Sequence, residues 1–148
     1  MAIQLDRNFK EFLSLLERHG VEYLLIGGYA VNFHGYVRYT GDMDIYISAS
    51  SENAARVAMA LNELGFDEVT PSMFTTPSSM VRMGVPPTKL EVTNFIDGVT
   101  FEECYANRLR TMLDGLEVNI MSLIDLRRNK RASGRLKDLA DLENLPEA

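Results

Sequence analysis

Four apolar residues, Tyr23-Leu24-Leu25-Ile26, run straight into the pair Gly27-Gly28, and a second apolar stretch returns at Met43-Asp44-Ile45-Tyr46-Ile47 with Asp42 in front of it. Between them, Tyr29 to Phe33 is compatible with a short helix. The order strand, glycine turn, helix, strand restricts the chain to architectures that mix a sheet with packed helices. Successive strand side chains alternate between faces, so Met43, Ile45 and Ile47 turn together to the core while Asp42 and Asp44 share the other face and point to solvent. Two carboxylates held this close repel each other unless a cation lies between them. A hard divalent ion, Mg²⁺ or Mn²⁺ in its place, takes oxygen ligands of this kind and commonly shares them with phosphates. Gly27-Gly28 offers the complementary half: a backbone that can approach a ligand closely and take positive φ, followed by helix N–H groups free to meet an anion.

A third carboxylate follows on a later strand. In Lys89 to Phe95, Leu90 and Val92 alternate with Glu91 and Thr93, so Glu91 projects away from the core. If this strand lies beside the one bearing Asp42 and Asp44, a strand spacing of about 4.8 Å brings Glu91 within reach of the same site.

The remaining segments supply the scaffold. Phe9, Phe12, Leu13 and Leu16 recur at helical spacing between Asp6 and His19, with Gly20 closing the helix. Ser50 or Ser51 caps a second helix with the face Ala54, Val57, Ala58, Leu61 and Leu64, closed by Gly65. Residues 66 to 88 are Pro-, Ser- and Thr-rich; Met80 to Val85 reads as a strand, and Pro71 to Ser79 as either a surface loop or a lid. Phe101 to Leu109 reads as a helix. Asp114-Gly115 between Thr111–Leu113 and Leu116–Ile120 is a hairpin signal. Ser122 with Asp125 opens a helix to about Arg131, Ser133-Gly134 interrupts it, and Leu136, Leu139 and Ala140 give a last helix before Pro146.

With 148 residues, 46% hydrophobic and 24% charged, the chain suits one domain spanning 1-148. No apolar run is long enough for a membrane span, and the amphipathic start carrying Asp6, Lys10 and Glu11 does not read as a secretory signal, so a cytoplasmic location is expected. The lone Cys104 excludes an internal disulfide. A net charge of −6 argues against a broadly basic nucleic-acid surface. Even so, Arg127, Arg128, Lys130, Arg131, Arg135 and Lys137 place six of the fifteen basic residues within eleven positions. Such a patch can meet a triphosphate or an RNA backbone, or can simply be the solvated face of two helices.

The glycine turn and the acid-bearing strand together resemble the nucleotidyltransferase superfamily that includes DNA polymerase beta, whose members carry an hG[GS] turn followed by a Dh[DE]h strand. Here these are Ile26-Gly27-Gly28, thirteen intervening residues, and Asp42-Met43-Asp44-Ile45. The form Arg38-x-Thr40-x-Asp42-x-Asp44 resembles the small prokaryotic branch of AbiEii-type toxin nucleotidyltransferases, as does Lys130 followed by Lys137-Asp138-x-x-Asp141. The resemblance implies Asp42, Asp44 and Glu91 as metal-binding and catalytic carboxylates, Glu91 standing where the superfamily usually has Asp. It further implies that Gly27, Gly28, Arg38, Thr40, Lys130 and Lys137 contact nucleotide or phosphate, with Asp138 and Asp141 completing the site.

Other roles stand beside these. Glu91 can be a ligand, a base or a solvated side chain; His34 can cap carbonyls or face substrate; Arg38 and Thr40 can hold phosphate or brace their loop; and Asp138 and Asp141 can pair with neighbouring cations. The expected fold is a small α/β domain with a twisted mixed sheet, acids at one edge of its open face, helices packed on the other, and a C-terminal helical hairpin. The expected activity is Mg²⁺-dependent transfer of a nucleoside monophosphate from a nucleoside triphosphate to a protein, an RNA end or a small molecule, in a toxin-antitoxin setting. The alternative is a non-catalytic nucleotide-binding or antitoxin-like interaction module. A domain this small leaves little surface for an acceptor, which points to a partner protein or self-association.

Overall fold

The computed structural model describes residues 3–148. In chain order the elements are α1 (Arg7–Arg18), β1 (Tyr23–Ile26), α2 (Gly27–Phe33), β2 (Asp42–Ile47), α3 (Ser51–Leu64), β3 (Met80–Met83), β4 (Lys89–Thr93), α4 (Phe101–Ala106), β5 (Leu109–Leu113), β6 (Leu116–Ile120), α5 (Leu123–Ser133) and α6 (Leu136–Asn144). One mixed sheet runs β3-β4-β2-β1-β6-β5. The central strand β2 is antiparallel to β1 and parallel to β4.

Local signals account for most boundaries. Asp6 accepts a hydrogen bond from Asn8 N–H (2.8 Å), Ser50 from Asn53 N–H (3.2 Å) and Ser122 from Asp125 N–H (3.2 Å), each satisfying a helix donor that has no partner within the helix. At the β5–β6 turn Asp114 and Gly115 both take positive φ, +50° and +79°, as a two-residue hairpin requires. The expected Phe101–Leu109 helix stops at Ala106, and Leu109 opens β5 instead, because pairing with β6 from Leu109 opposite Ile120 captures those residues.

Cross-strand partners share a face, so Tyr23, Leu25, Met43, Ile45 and Ile47 form one side of the sheet centre. Against it lie α1, whose Glu17 accepts from the Tyr23 hydroxyl at 2.6 Å, and α3 beside α1. Phe9, Phe12, Leu13 and Leu16 of α1 are buried there, as are Ala54, Val57 and Leu61 of α3. Each such large side chain contributes about 1.5–3 kcal/mol of apolar burial.

The opposite, acid-bearing face differs from the expectation of an open surface with helices only behind it. Tyr46 shares this face with Asp44, yet it is 2% exposed because Phe101 of α4 packs edge-on against it with ring centroids 5.2 Å apart. Leu24 and Ile26 are covered as well, which is why β1 is buried along its whole length. Helices therefore cover both faces at the sheet centre, and the acids lie at one end of an interior strand, not on a sheet edge.

The Pro71–Ser79 tract is anchored. It contains a 3-10 turn over Pro71–Phe74 with Phe74 in the core, and Asn94 donates from its amide to the carbonyls of Phe74 (3.1 Å) and Thr76 (2.8 Å). These contacts favour the loop over the lid. Among the described residues no helix is long and apolar enough to cross a membrane.

Candidate active site

The parallel pairing of β2 with β4 sets Asp44 directly beside Glu91 and Asp42 beside Lys89. Asp44 and Glu91 come within hydrogen-bonding reach of each other. Burial and the neighbouring Glu91 push the Asp44 carboxyl up to about 7, while the Asp44 hydrogen bond and the Arg82 guanidinium hold Glu91 below its ordinary value despite partial burial. With no cation between the two, Asp44 therefore keeps its proton to higher pH than an ordinary aspartate. This agrees with the principle that two adjacent carboxylates cannot both ionise freely.

Gly27 explains how Asp44 reaches this place. Its φ is +66°, and a Cβ there would lie 2.1 Å from Asp44 Oδ2. A Cβ on Gly28 would lie 2.2 Å from Thr40 Oγ1. The glycine pair therefore first admits two of the chain's own side chains, Asp44 and Thr40, against the turn. Gly27→Ala is expected to displace Asp44 and destabilise the fold by about 1–3 kcal/mol, read by urea denaturation, since it combines a steric clash with positive φ.

Asp44, Glu91, Gly27 and Gly28 line a cavity of about 400 Å³. Its walls carry five basic residues, Arg38, Arg82, Lys130, Arg135 and Lys137, against the four acids Asp44, Glu91, Asp97 and Asp138. On a chain of net charge −6 this is a local reversal of sign. Arg82 donates from Nε to Glu91 at 3.0 Å, and Lys89 Nζ stands 3.5 Å from the same oxygen. The position of Lys137 lowers the Asp44 value through its charge, and among the described residues it has no ion-pair partner.

Lys130 is placed differently from the expectation that it meets phosphate. It is 5% exposed, and its ammonium lies 3.0 Å from both Asp138 Oδ1 and Asp141 Oδ2. Arg38 grips Asp141 with two bonds of 2.8 Å. Arg135 reaches Asp138 at 3.0 Å, and Ser133 also donates to that carboxylate. These contacts tie α5, α6 and the loop before β2 into one buried network. Arg38 and Lys130 touch the cavity, but their charges are already committed to Asp141 and Asp138.

The rest of the basic run disperses as well. Arg127 caps the carbonyls of Leu142 and Pro146, and Arg128 faces Glu103 and Asp125. Arg128, Arg131, Arg135 and Lys137 are exposed, while Lys130 is buried. Thr40 donates to the Asp42 carbonyl (3.3 Å), and the His34 ring pairs with the Met121 carbonyl (2.7 Å); both brace loops. Cys104 is buried in the core. Asp42 is not among the residues lining the cavity, and among the described residues no three His, Cys, Asp or Glu side chains converge as a ready metal cage.

Sequence reasoning missed Arg82, Lys89 and Asn129. Arg82 joins the site because β3 folds back antiparallel on β4 and sets it opposite Glu91. The Met80–Val85 strand and the Pro86-Pro87 turn are visible in the sequence, but the register that sets Arg82 opposite Glu91 is not.

The chemistry of the donors fits a hard divalent cation. Asp44 and Glu91 present adjacent carboxylates, and an ion with oxygen preference relieves the repulsion that raises the Asp44 value. A consequence is measurable without nucleotide. The folded-state value of Asp44, about 7, lies above its ordinary value of 3.8, so the stability it contributes is present below about pH 4 and is lost as pH rises through 7. The metal-free protein with Asp44→Asn is therefore expected to melt about 2–5 °C above wild type at pH 8 and to match it only below about pH 4. Added Mg²⁺ should stabilise wild type at pH 8 and not the variant; differential scanning fluorimetry checks both.

A mixed sheet with a glycine turn packed against a strand-borne carboxylate, and a second carboxylate on the adjoining parallel strand, defines a nucleotidyltransferase fold. The chain belongs to the family described as "nucleotidyl transferase of unknown function" (DUF2204), which matches residues 6–148. Among solved structures it is similar to a candidate nucleotidyltransferase from Thermotoga maritima, with TM-score 0.62 and 16% identity over 93% of this chain and 87% of that one. At that identity the likeness speaks for the fold. No curated protein matches the sequence.

Proposed function

We propose that this protein transfers a nucleoside monophosphate from a nucleoside triphosphate to an acceptor hydroxyl on a protein, an RNA end or a small molecule. The observation that carries this reading is the paired Asp44 and Glu91 carboxyls in a cavity whose lining is net positive. The acceptor oxygen forms a bond to the α-phosphorus, the bond to the bridging oxygen breaks, and pyrophosphate leaves. Asp44 and Glu91, with Asp42 at the start of β2, would hold Mg²⁺. When bound, the ion supplies charge neutralisation at the phosphates. Lys137 and Arg82 line the same space and offset charge on the departing pyrophosphate, and Lys89 stands behind Glu91 at 3.5 Å. The Gly27-Gly28 turn lets phosphate approach the backbone. Glu91 accepts the hydroxyl proton where Asp42 and Asp44 alone hold the ion.

The toxin-antitoxin setting rests on the resemblance of Arg38-x-Thr40-x-Asp42-x-Asp44 to AbiEii-type toxins; in the fold Arg38 binds Asp141 and Thr40 lies against Gly28. The non-catalytic reading draws on Asp42, which stands outside the cavity lining. The two separate when purified protein and lysate are incubated with each α-phosphate-labelled nucleoside triphosphate and Mg²⁺ or Mn²⁺. Metal-dependent labelling of protein or RNA is the expected result. Metal-dependent binding without labelling would favour the binding module, and no nucleotide binding at all would overturn both.

A further inference from the structure

One end of the cavity is apolar although the rest is charged. Phe95 and Met80, both lining residues, are 53% and 49% exposed, and Ile96 lies beside them. Alternation along β4 puts Glu91 and Thr93 on the acid-bearing face, with Phe95 two residues beyond Thr93. The antiparallel register brings Met80 alongside Thr93. The Phe95 backbone is held in place: its N–H donates to Thr93 Oγ1 at 3.3 Å, and that hydroxyl lies 3.0 Å from the carbonyls of Phe95 and Ser79. The backbone that carries the ring is thus anchored while the ring itself is half uncovered, whereas Phe74 and Phe101 are in the core. Glu91 and Thr93 lie about 7 Å apart along β4, and the chain bends at Asn94 before Phe95, so Phe95 follows beyond the end of the strand that carries Glu91. A ligand filling this space needs an anionic, metal-binding end and a flat apolar end.

We infer that Phe95, flanked by Met80 and Ile96, is the platform on which the base of a nucleoside triphosphate stacks while its phosphates lie against Asp44, Glu91 and Lys137. This rests on the proposed function and adds the base subsite to it. Stacking on an aromatic ring tolerates any base, because every base has a π-face, so the platform selects nucleotides over bare polyphosphates and does not choose among bases.

The sequence contains no tryptophan, so Phe95→Trp places a single indole reporter in the cavity. Titration of this variant with ATP and Mg²⁺ is expected to quench its emission, and inorganic tripolyphosphate is expected to displace ATP without comparable quenching. In calorimetry, Phe95→Ala should weaken ATP binding about 10-fold or more and leave tripolyphosphate binding unchanged. Its melting temperature should match wild type, since the ring is mostly in water. Equal ATP affinity in Phe95→Ala and wild type would overturn the platform while leaving the phosphate site standing, as would equal weakening of both ligands. If wild type binds neither ATP nor tripolyphosphate, the proposed function fails and the platform with it.

Discussion

Asp44→Asn is expected to lower nucleotidyl transfer by about 100-fold or more while leaving the fold intact. Asparagine keeps the shape that packs against Gly27, so the close approach of that side chain to the turn survives. What disappears is the negative charge that would hold the cation beside Glu91. Transfer of label from the α-phosphate of the preferred nucleoside triphosphate reads the effect. The thermal midpoint of the same preparation, unchanged or raised at pH 8, shows that the loss is chemical. Asp42→Asn provides the comparison: an equally large loss would show that Asp42 enters the site when metal and nucleotide are present, and a small one would confine the chemistry to Asp44 and Glu91. An Asp44→Asn protein that labels its acceptor as well as wild type would remove that carboxylate from the mechanism.

The second large effect concerns stability. Removing one partner from a buried ion pair typically destabilises by about 3–5 kcal/mol, because the charge left behind stays out of water. Lys130 is 5% exposed and serves Asp138 and Asp141, themselves 5% and 2% exposed. Lys130→Ala should therefore lower the melting temperature by on the order of 10 °C. Lys130→Met, which retains most of the side-chain volume, should fall nearly as far if charge and not packing is responsible. A Lys130→Ala protein with wild-type stability and lost nucleotide affinity would restore the lysine to the role the family signature implies, a phosphate ligand.

The network has a pH signature as well. Lys130, Ser133 and the arginines hold Asp138 and Asp141 below their ordinary value despite the opposing effect of burial. Folded-state values below the unfolded ones mean that this contribution is present above about pH 4 and is lost as pH falls through the lowered values. Acid unfolding monitored by circular dichroism should consequently begin at higher pH in Arg38→Ala than in wild type.

Much of the site was legible because its key features are local. The turn Ile26-Gly27-Gly28 and the alternation Asp42-Met43-Asp44-Ile45 lie on adjacent elements, and strand periodicity alone decides which side chains share a face. Glu91 could be nominated by the same alternation, but its position beside Asp44 depends on a parallel pairing across the intervening α3 and β3. Arg82 was not legible, since no local pattern marks an arginine in β3 as the partner of an acid nine residues on. The basic run from Arg127 to Lys137 misled for the related reason that sequence proximity does not reveal burial. Lys130 turns inward to two aspartates while Lys137, seven positions later, stays unpaired at the cavity.

The sequence by itself determined the strand, glycine turn, helix and strand that present Asp44, the caps at Asp6, Ser50 and Ser122, and the Asp114-Gly115 hairpin. All of these rest on interactions within a few residues, where backbone sterics and side-chain periodicity leave few choices. The tertiary structure alone decided that Asp44 and Glu91 stand side by side, that α4 covers Tyr46, and that Arg38 and Lys130 spend their charge on α6. Each of these depends on which distant groups packing brings into contact, and on the low-dielectric surroundings that make a carboxylate bind its proton or its cation so much more tightly than in water.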